Sequence, residues 1–496
     1  MVIISTSKGK IKGGQESGYQ YFLGIPYAKP PEGNLRFHEP QLMDPWDGIK
    51  DVTKYGPIAY QNHQDFTPIE QTESEDCLYL NVWTPKADGK ARPVMFYIHG
   101  GGFLIGSGSR PRLNGARLAS YGDVVVVTFN YRLGALGFLD LPNIPPNLGI
   151  QDQFTALKWT HENIHTFGGD PNNITIFGES SGSESVVILL SIPITKGLIH
   201  KAIIQSGVAN PSSYKKDLVN KGAKDLLSKL HIDDGNLKAL QEFPISRFMR
   251  IQKKIAGTIT DGKNNPFRPF VDGVIIPEIP FEIIQKGNAN KIPLILGWNE
   301  EELGIFGNFI KQVDENRKEV MVGMIKSRIR NNGINDETLE KLVKNYLPLT
   351  KKKYPGEPYK YLDAILADSM FAIPTIRQME AHLKHQSEIF CYIFTYKSSR
   401  YGGAYHSFEI PFVFGTLKTA NMPEGAIDSM NEAENVSKVV MDTWLSFVRT
   451  GNPNHKGLPE WPPYDAKQRA TMMLGADSKV ENDPVSILRK VWNDIM

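Results

Sequence analysis

Ile174-Thr175-Ile176-Phe177 is an apolar run that feeds straight into Gly178-Glu179-Ser180-Ser181-Gly182, and a helix-like stretch begins at Ser183. A strand, a G-x-S-x-G turn and a helix in that order leave few architectures open. The serine must sit on a sharp, strained turn that lifts its hydroxyl clear of a sheet. Side chains at Gly178 and Gly182 would collide with the neighbouring strand and helix. The helix that follows presents its N-terminal dipole, which favours negative charge developing beside Ser180. Ser180 is therefore the candidate nucleophile. Glu179 next to it can tune the local field, bind a water or serve the structure.

The surrounding chain repeats the same rhythm. Val94 to Ile98, Val124 to Phe129, Ala202 to Ile204, Pro293 to Leu296 and Ile389 to Phe394 all read as buried strands. Helical stretches such as Phe154 to Ile164 lie between several of them. Strands apolar on both faces and alternating with helices predict an α/β fold, with a mostly parallel central sheet flanked by helices. Ligands then bind beyond the carboxyl ends of the strands. Two charged, helix-rich regions, near 217–286 and 311–377, break the rhythm. They are expected to be helical insertions over the active site.

The chain has 496 residues and is 41% apolar, enough for one large core. No Pro/Ser tract, charge block or repeat marks a linker, so one domain over 1–496 is expected. A formal charge of +2 with mixed signs gives no electrostatic case for nucleic acid or an anionic membrane. The two cysteines, Cys77 and Cys391, fit a reducing compartment. The start of the chain does not read as a signal peptide, and the longest aliphatic run, Val186 to Leu190, is far short of a membrane span. The expectation is a cytoplasmic protein acting as a monomer or small homo-oligomer on a small molecule.

His99-Gly100-Gly101-Gly102-Phe103 follows the strand Val94 to Ile98. Consecutive glycines let backbone N–H groups approach a reacting oxygen, as a tetrahedral intermediate requires. Gly101 and Gly102 are the candidate donors, with the N–H of Ser181. The loop lacks the Gly-Lys-Ser/Thr ending of a phosphate-binding loop. Of six histidines after Ser180, His406 fits the base, on a flexible loop after a late strand. His382 and His385 fall before that strand, on a predicted helix, and read as surface residues. An orienting acid should follow a strand between Ser180 and His406. Glu300, Glu301 and Glu302 all qualify, and spacing alone does not choose among them; two would be solvated loop carboxylates.

Together these segments resemble the type-B carboxylesterases, the family of bacterial p-nitrobenzyl esterases and animal cholinesterases. The likeness runs over nearly the whole chain. Phe22 to Ala28, Leu35-Arg36-Phe37 and Glu75-Asp76-Cys77-Leu78-Tyr79-Leu80-Asn81-Val82 carry it at the N-terminus. Asn147-Leu148-Gly149, Asp152-Gln153 and Phe167-Gly168-Gly169-Asp170-Pro171 lead to the nucleophile turn. Gln205-Ser206-Gly207, His406 with Glu409 to Gly415, Thr450 to Asn454 and Trp461-Pro462 complete it. The resemblance implies an α/β-hydrolase fold and an ester hydrolase of the EC 3.1.1 type, working through an acyl-enzyme without cofactor or metal. It also implies Glu302 as the acid, by alignment with the family's Asp-Glu-Gly triplet, with Glu301 as the neighbouring alternative.

Several positions depart from the family. Glu301 stands for Asp and Leu303 for Gly, Ser181 for Ala, and Ser183 where glycine or alanine is common. Cys77 lacks its family disulfide partner, because Gly56-Pro57-Ile58-Ala59 carries no cysteine. Thr67 stands where cholinesterases carry a cation-stacking tryptophan, which disfavours a choline ester substrate. Two rival readings exist. His161-Glu162-Asn163-Ile164-His165 is a literal H-E-x-x-H, the pattern of a zinc hydrolase, but no third ligand is evident. A non-catalytic esterase-like binding protein would have lost Ser180, the acid or His406, and all are present.

Overall fold

The computed structural model describes residues 1–62, 71–209, 214, 216–257, 265–304, 315–331, 333–355 and 360–495. Thr67 and the first residues of the second predicted insertion lie outside them. The strands are β1 (Val2–Ser5), β2 (Lys10–Glu16), β3 (Tyr19–Pro26), β4 (Ile49–Asp51), β5 (Ile58–Ala59), β6 (Glu73–Ser74), β7 (Tyr79–Thr84), β8 (Arg92–Ile98), β9 (Val125–Phe129), β10 (Gly169–Glu179), β11 (Lys201–Gln205), β12 (Leu294–Asn299), β13 (Ile389–Phe394), β14 (Ala470–Leu474) and β15 (Lys479–Asn482). The main sheet runs β1-β2-β3-β7-β9-β8-β10-β11-β12-β13-β14-β15, with β4 beside β2. From β9 to β14 every pairing is parallel. Antiparallel strands flank this centre on both sides.

Each predicted strand is present, Ile389–Phe394 with its expected bounds and the others shifted at one or both ends. Alternation along them feeds two cores. Val94, Phe96 and Ile98 of β8 face one side with Ile174 and Ile176 of β10, while Met95, Tyr97 and Phe177 face the other. β9, β12 and β13 are buried along their whole length, which is why they read as continuous apolar runs. The helices Leu148–Asn163 and Ser181–Ser191 cover the first face. The helix Met430–Thr450 covers the second.

Helices occupy both predicted insertions: Lys216–Leu230, Leu237–Glu242, Ile245–Ala256 and Pro280–Gln285 in the first, then Glu315–Asn331, Asp336–Lys353, Lys360–Ala367, a π-helical turn Asp368–Ala372 and Ile373–Leu383. One expectation fails here. His382 is 4% exposed and not a surface residue. It lies on the inward face of its helix with Ile376 and Met379, and burial pushes its pKa down to about 4. His385, just past that helix, is half-buried, and its Nε2 lies 2.9 Å from the Gln285 carbonyl.

Candidate active site

Ser180 stands between β10 and the helix Ser181–Ser191 with φ 58° and ψ −125°. A side chain in that conformation costs on the order of 1–3 kcal/mol and persists only when its surroundings enforce it. The enforcement is visible. Ser180 N–H donates to the Gln205 carbonyl at 2.9 Å. The Ser183 hydroxyl lies 2.7 Å from the Ser180 carbonyl and 2.6 Å from that of Gly207, so this departure from the family braces the turn. A Cβ on Gly178 would fall 2.6 Å from the Gly182 backbone, and one on Gly182 would fall 2.1 Å from the Ile98 carbonyl. Both glycines are therefore demanded by the close approach of helix and strand.

His406 follows β13, and its N–H donates to the Glu302 carbonyl at 2.9 Å. Its Nδ1 lies 2.6 Å from Glu302 Oε2, while Glu302 Oε1 accepts the Asn299 N–H at 2.8 Å. The other ring nitrogen, Nε2, lies 3.0 Å from Glu179 Oε1 and makes no hydrogen bond to Ser180. The same Glu179 oxygen accepts the Ser407 hydroxyl at 2.6 Å. A third carboxyl, Glu409, accepts from Asn299 at 2.7 Å and Gln205 at 3.2 Å. Burial alone would push the His406 pKa down, but the charges of Glu179 and Glu302 outweigh it and lift it to about 9. Burial and the same two neighbours push the Glu409 carboxyl up to about 8. The Phe371 ring, set by the π-helical turn, lies 4.9 Å from the His406 ring.

The three consecutive glutamates part company. Glu302 turns to His406. Glu301 turns away, yet it is not solvated as expected: its side chain is 2% exposed. It accepts the Ala404 N–H at 3.0 Å, the Tyr354 hydroxyl at 2.7 Å and Lys397 at 2.9 Å. Glu300 is partly exposed and pairs with Lys353 at 2.7 Å and Lys397 at 2.9 Å.

The glycine loop after β8 carries Gly101 at φ 119° and Gly102 at φ 62°, conformations that side chains rarely adopt. The N–H groups of Gly101, Gly102 and Ser181 donate to no acceptor among the described residues. Leu104 and Ile105 N–H groups close the loop onto the Gly101 carbonyl, at 3.1 Å each. Asn265 holds it from the first insertion, with Nδ2 3.0 Å from the Gly102 carbonyl. His99 stacks on Tyr131 at 4.4 Å, and burial pushes its pKa down to about 3, so it is neutral. Asn265 and Phe371 left no signal in the sequence. Glu409 was visible only as part of the resemblance.

Other motif residues turn out to be braces. Arg36 binds Glu75 through two 2.5 Å contacts, and Arg132 grips Asp152 at 2.7 and 2.8 Å. The H-E-x-x-H pattern does not stay on one α-helix. That helix ends at Asn163, and His165 lies in the tighter 3-10 turn Ile164–Phe167. No group of three or more metal-capable side chains occurs among the described residues. Nor is any described helix long and apolar enough to cross a membrane.

A strained serine at the end of a central parallel strand, with a histidine–carboxylate pair beside it, defines the class: this is an α/β-hydrolase. The carboxylesterase family model matches residues 1–487, and the chain belongs to that family. It is similar to the para-nitrobenzyl esterase of Bacillus subtilis (36% identical, 98% of each chain). Liver carboxylesterase 1 of Oryctolagus cuniculus is 33% identical, over 99% of this chain and 93% of its own. A solved carboxylesterase of Geobacillus stearothermophilus superposes with a TM-score of 0.86 at 34% identity, covering 99% of both chains. The protein is thus a carboxylic ester hydrolase, and the zinc reading has no support.

Proposed function

We propose that Ser180 is the nucleophile, His406 the base and Glu302 the orienting acid, with Gly101, Gly102 and Ser181 N–H groups holding the oxyanion. The observation that carries this reading is the 2.6 Å contact of His406 with Glu302 beside a strained serine turn flanked by three amides that have no acceptor among the described residues. On substrate binding, neutral His406 swings Nε2 from Glu179 to the Ser180 hydroxyl; such contacts are often loose before substrate arrives. Nε2 takes the hydroxyl proton as Oγ bonds to the ester carbonyl carbon. The carbonyl oxygen becomes an oxyanion held by the three amides. Collapse breaks the ester C–O bond, and the leaving alcohol takes the proton back from Nε2. Water then gives a proton to Nε2 and attacks the acyl carbon through a second oxyanion; the bond from Ser180 Oγ to that carbon breaks, Oγ takes the proton from Nε2, and the acid leaves.

The substrate class is a small ester with a short to medium acyl chain and an aryl or simple alkyl alcohol. The helical insertions roof the site within a single domain. The protein works in the cytoplasm, as a monomer or small homo-oligomer. Its two free, buried thiols support a reducing setting.

The test is hydrolysis of p-nitrophenyl esters from acetate to laurate. Ser180→Ala is expected to lower kcat by about 10⁴-fold or more, with wild-type activity concentrated on the shorter acyl chains. Substantial activity in Ser180→Ala would overturn the mechanism.

A further inference from the structure

Glu301 sits where the resemblance expects an aspartate, and it is buried, charged and turned away from His406. A buried carboxylate is costly unless several partners hold it. Its partners come from three separate places. Oε2 accepts the N–H of Ala404, two residues before His406, at 3.0 Å. Oε1 receives Lys397, just beyond β13, at 2.9 Å and the hydroxyl of Tyr354, which caps the helix Asp336–Lys353, at 2.7 Å. Lys353 from that helix adds an ion pair at 3.6 Å. Two ammonium groups lie against the Tyr354 ring, Lys353 at 5.0 Å and Lys360 at 5.1 Å from its centre. Burial alone would raise the Glu301 pKa, but Lys353 and Lys397 outweigh it, so the carboxylate stays charged.

The backbone around it is just as close. Glu301 N–H donates to the Ala404 carbonyl at 3.1 Å, and His406 N–H to the Glu302 carbonyl at 2.9 Å. A Cβ on Gly403 would fall 2.5 Å from Glu301 Oε2. The turn carrying Glu302 and the loop carrying His406 are thus zipped together, and Glu301 is the buried link from that zipper to the second insertion, beside the more exposed Glu300–Lys353 pair. The same insertion reaches His406 by another route. Tyr346 bonds Asp368 at 2.5 Å, at the start of the π-helical turn that sets Phe371 against the His406 ring.

We propose that Glu301 is a positioning residue for His406, locking the end of the helix Asp336–Lys353 to the histidine loop so that the insertion sets how the base meets Glu302. The proposal rests on the Ser180–His406–Glu302 mechanism above. It predicts that loosening a contact on the insertion side, remote from the reacting atoms, is felt in the chemical step.

The experiment compares wild type, Glu301→Gln, Glu301→Asp, Tyr354→Phe and the double variant Glu301→Gln/Tyr354→Phe on one p-nitrophenyl ester. Active sites are counted in each by the p-nitrophenol burst of an organophosphate titrant. Per titrated site, kcat is expected to fall about tenfold in Glu301→Gln with KM little changed, as for a misplaced base. A smaller fall of the same kind is expected in Tyr354→Phe. The ascending limb of the pH profile should move to lower pH in both, because a less well-held His406 loses part of its carboxylate stabilisation. Glu301→Asp keeps the charge and should recover most of the lost kcat. The double variant should be little worse than Glu301→Gln alone. Wild-type kcat and pH limb in Tyr354→Phe overturn the proposal, as do purely multiplicative losses. So does a loss confined to Tm and to the number of titratable sites, which marks a merely structural contact. A wild-type enzyme that gives no burst refutes the serine mechanism itself, a separate result.

Discussion

His406 is surrounded by carboxyl groups: Glu179 from the end of β10, Glu302 from the turn after β12, and Glu409 at the start of the helix Ile410–Phe414, with the Phe371 ring against its face. A histidine can act as a base only when neutral. The charges of Glu179 and Glu302 outweigh burial and lift its pKa to about 9, so the neutral base that the proposed mechanism needs is favoured by higher pH. Removing one of those charges lowers the histidine pKa and brings in the neutral base at lower pH. In Glu179→Gln the ascending limb of kcat/KM against pH is expected to move to lower pH; a limb that stays in place shows that Glu179 does not govern the base. That profile reports the free enzyme, in which Nε2 faces Glu179.

Between elements, the loop after β9 is fastened to the helix Leu148–Asn163 by one buried pair. Arg132 is 4% exposed and Asp152 fully buried. The aspartate accepts from the Arg132 backbone N–H as well as from its guanidinium. Removing one partner leaves an uncompensated buried charge. Asp152→Ala is expected to cost about 3–5 kcal/mol of stability, read as a lower denaturant midpoint at unchanged slope. Activity per titrated site should change little, since the pair touches none of the candidate site residues. The Asp152-Gln153 motif therefore stands out in the sequence for reasons of packing. A buried brace and a reactive group leave the same mark on a sequence when only residue types and spacing can be read.

Across the whole molecule, the last helix, Ser486–Ile495, is tied to the second insertion. Trp492 is 1% exposed and donates to the Tyr346 hydroxyl at 2.6 Å, and Tyr346 in turn bonds Asp368. Trp492→Ala is expected to lower stability by about 3–5 kcal/mol; a thermal midpoint equal to wild type would show that this helix docks without it. The local sequence by itself determined the strands, the parallel centre of the sheet, and the places of Ser180 and His406 on it. Those features follow from apolar periodicity and from turn chemistry acting over a few residues. The choice among Glu300, Glu301 and Glu302 is different, because adjacent carboxylates share one composition and one spacing. The resemblance points to Glu302, and the fold gives the physical separation, turning Glu302 to His406 and Glu301 to a lysine and a tyrosine. The same holds for His382, which a charged helix disguised as a surface residue, and for Asn265, which meets the glycine loop from 163 residues away. Side-chain contacts between distant segments depend on how whole layers pack, and no local pattern encodes that.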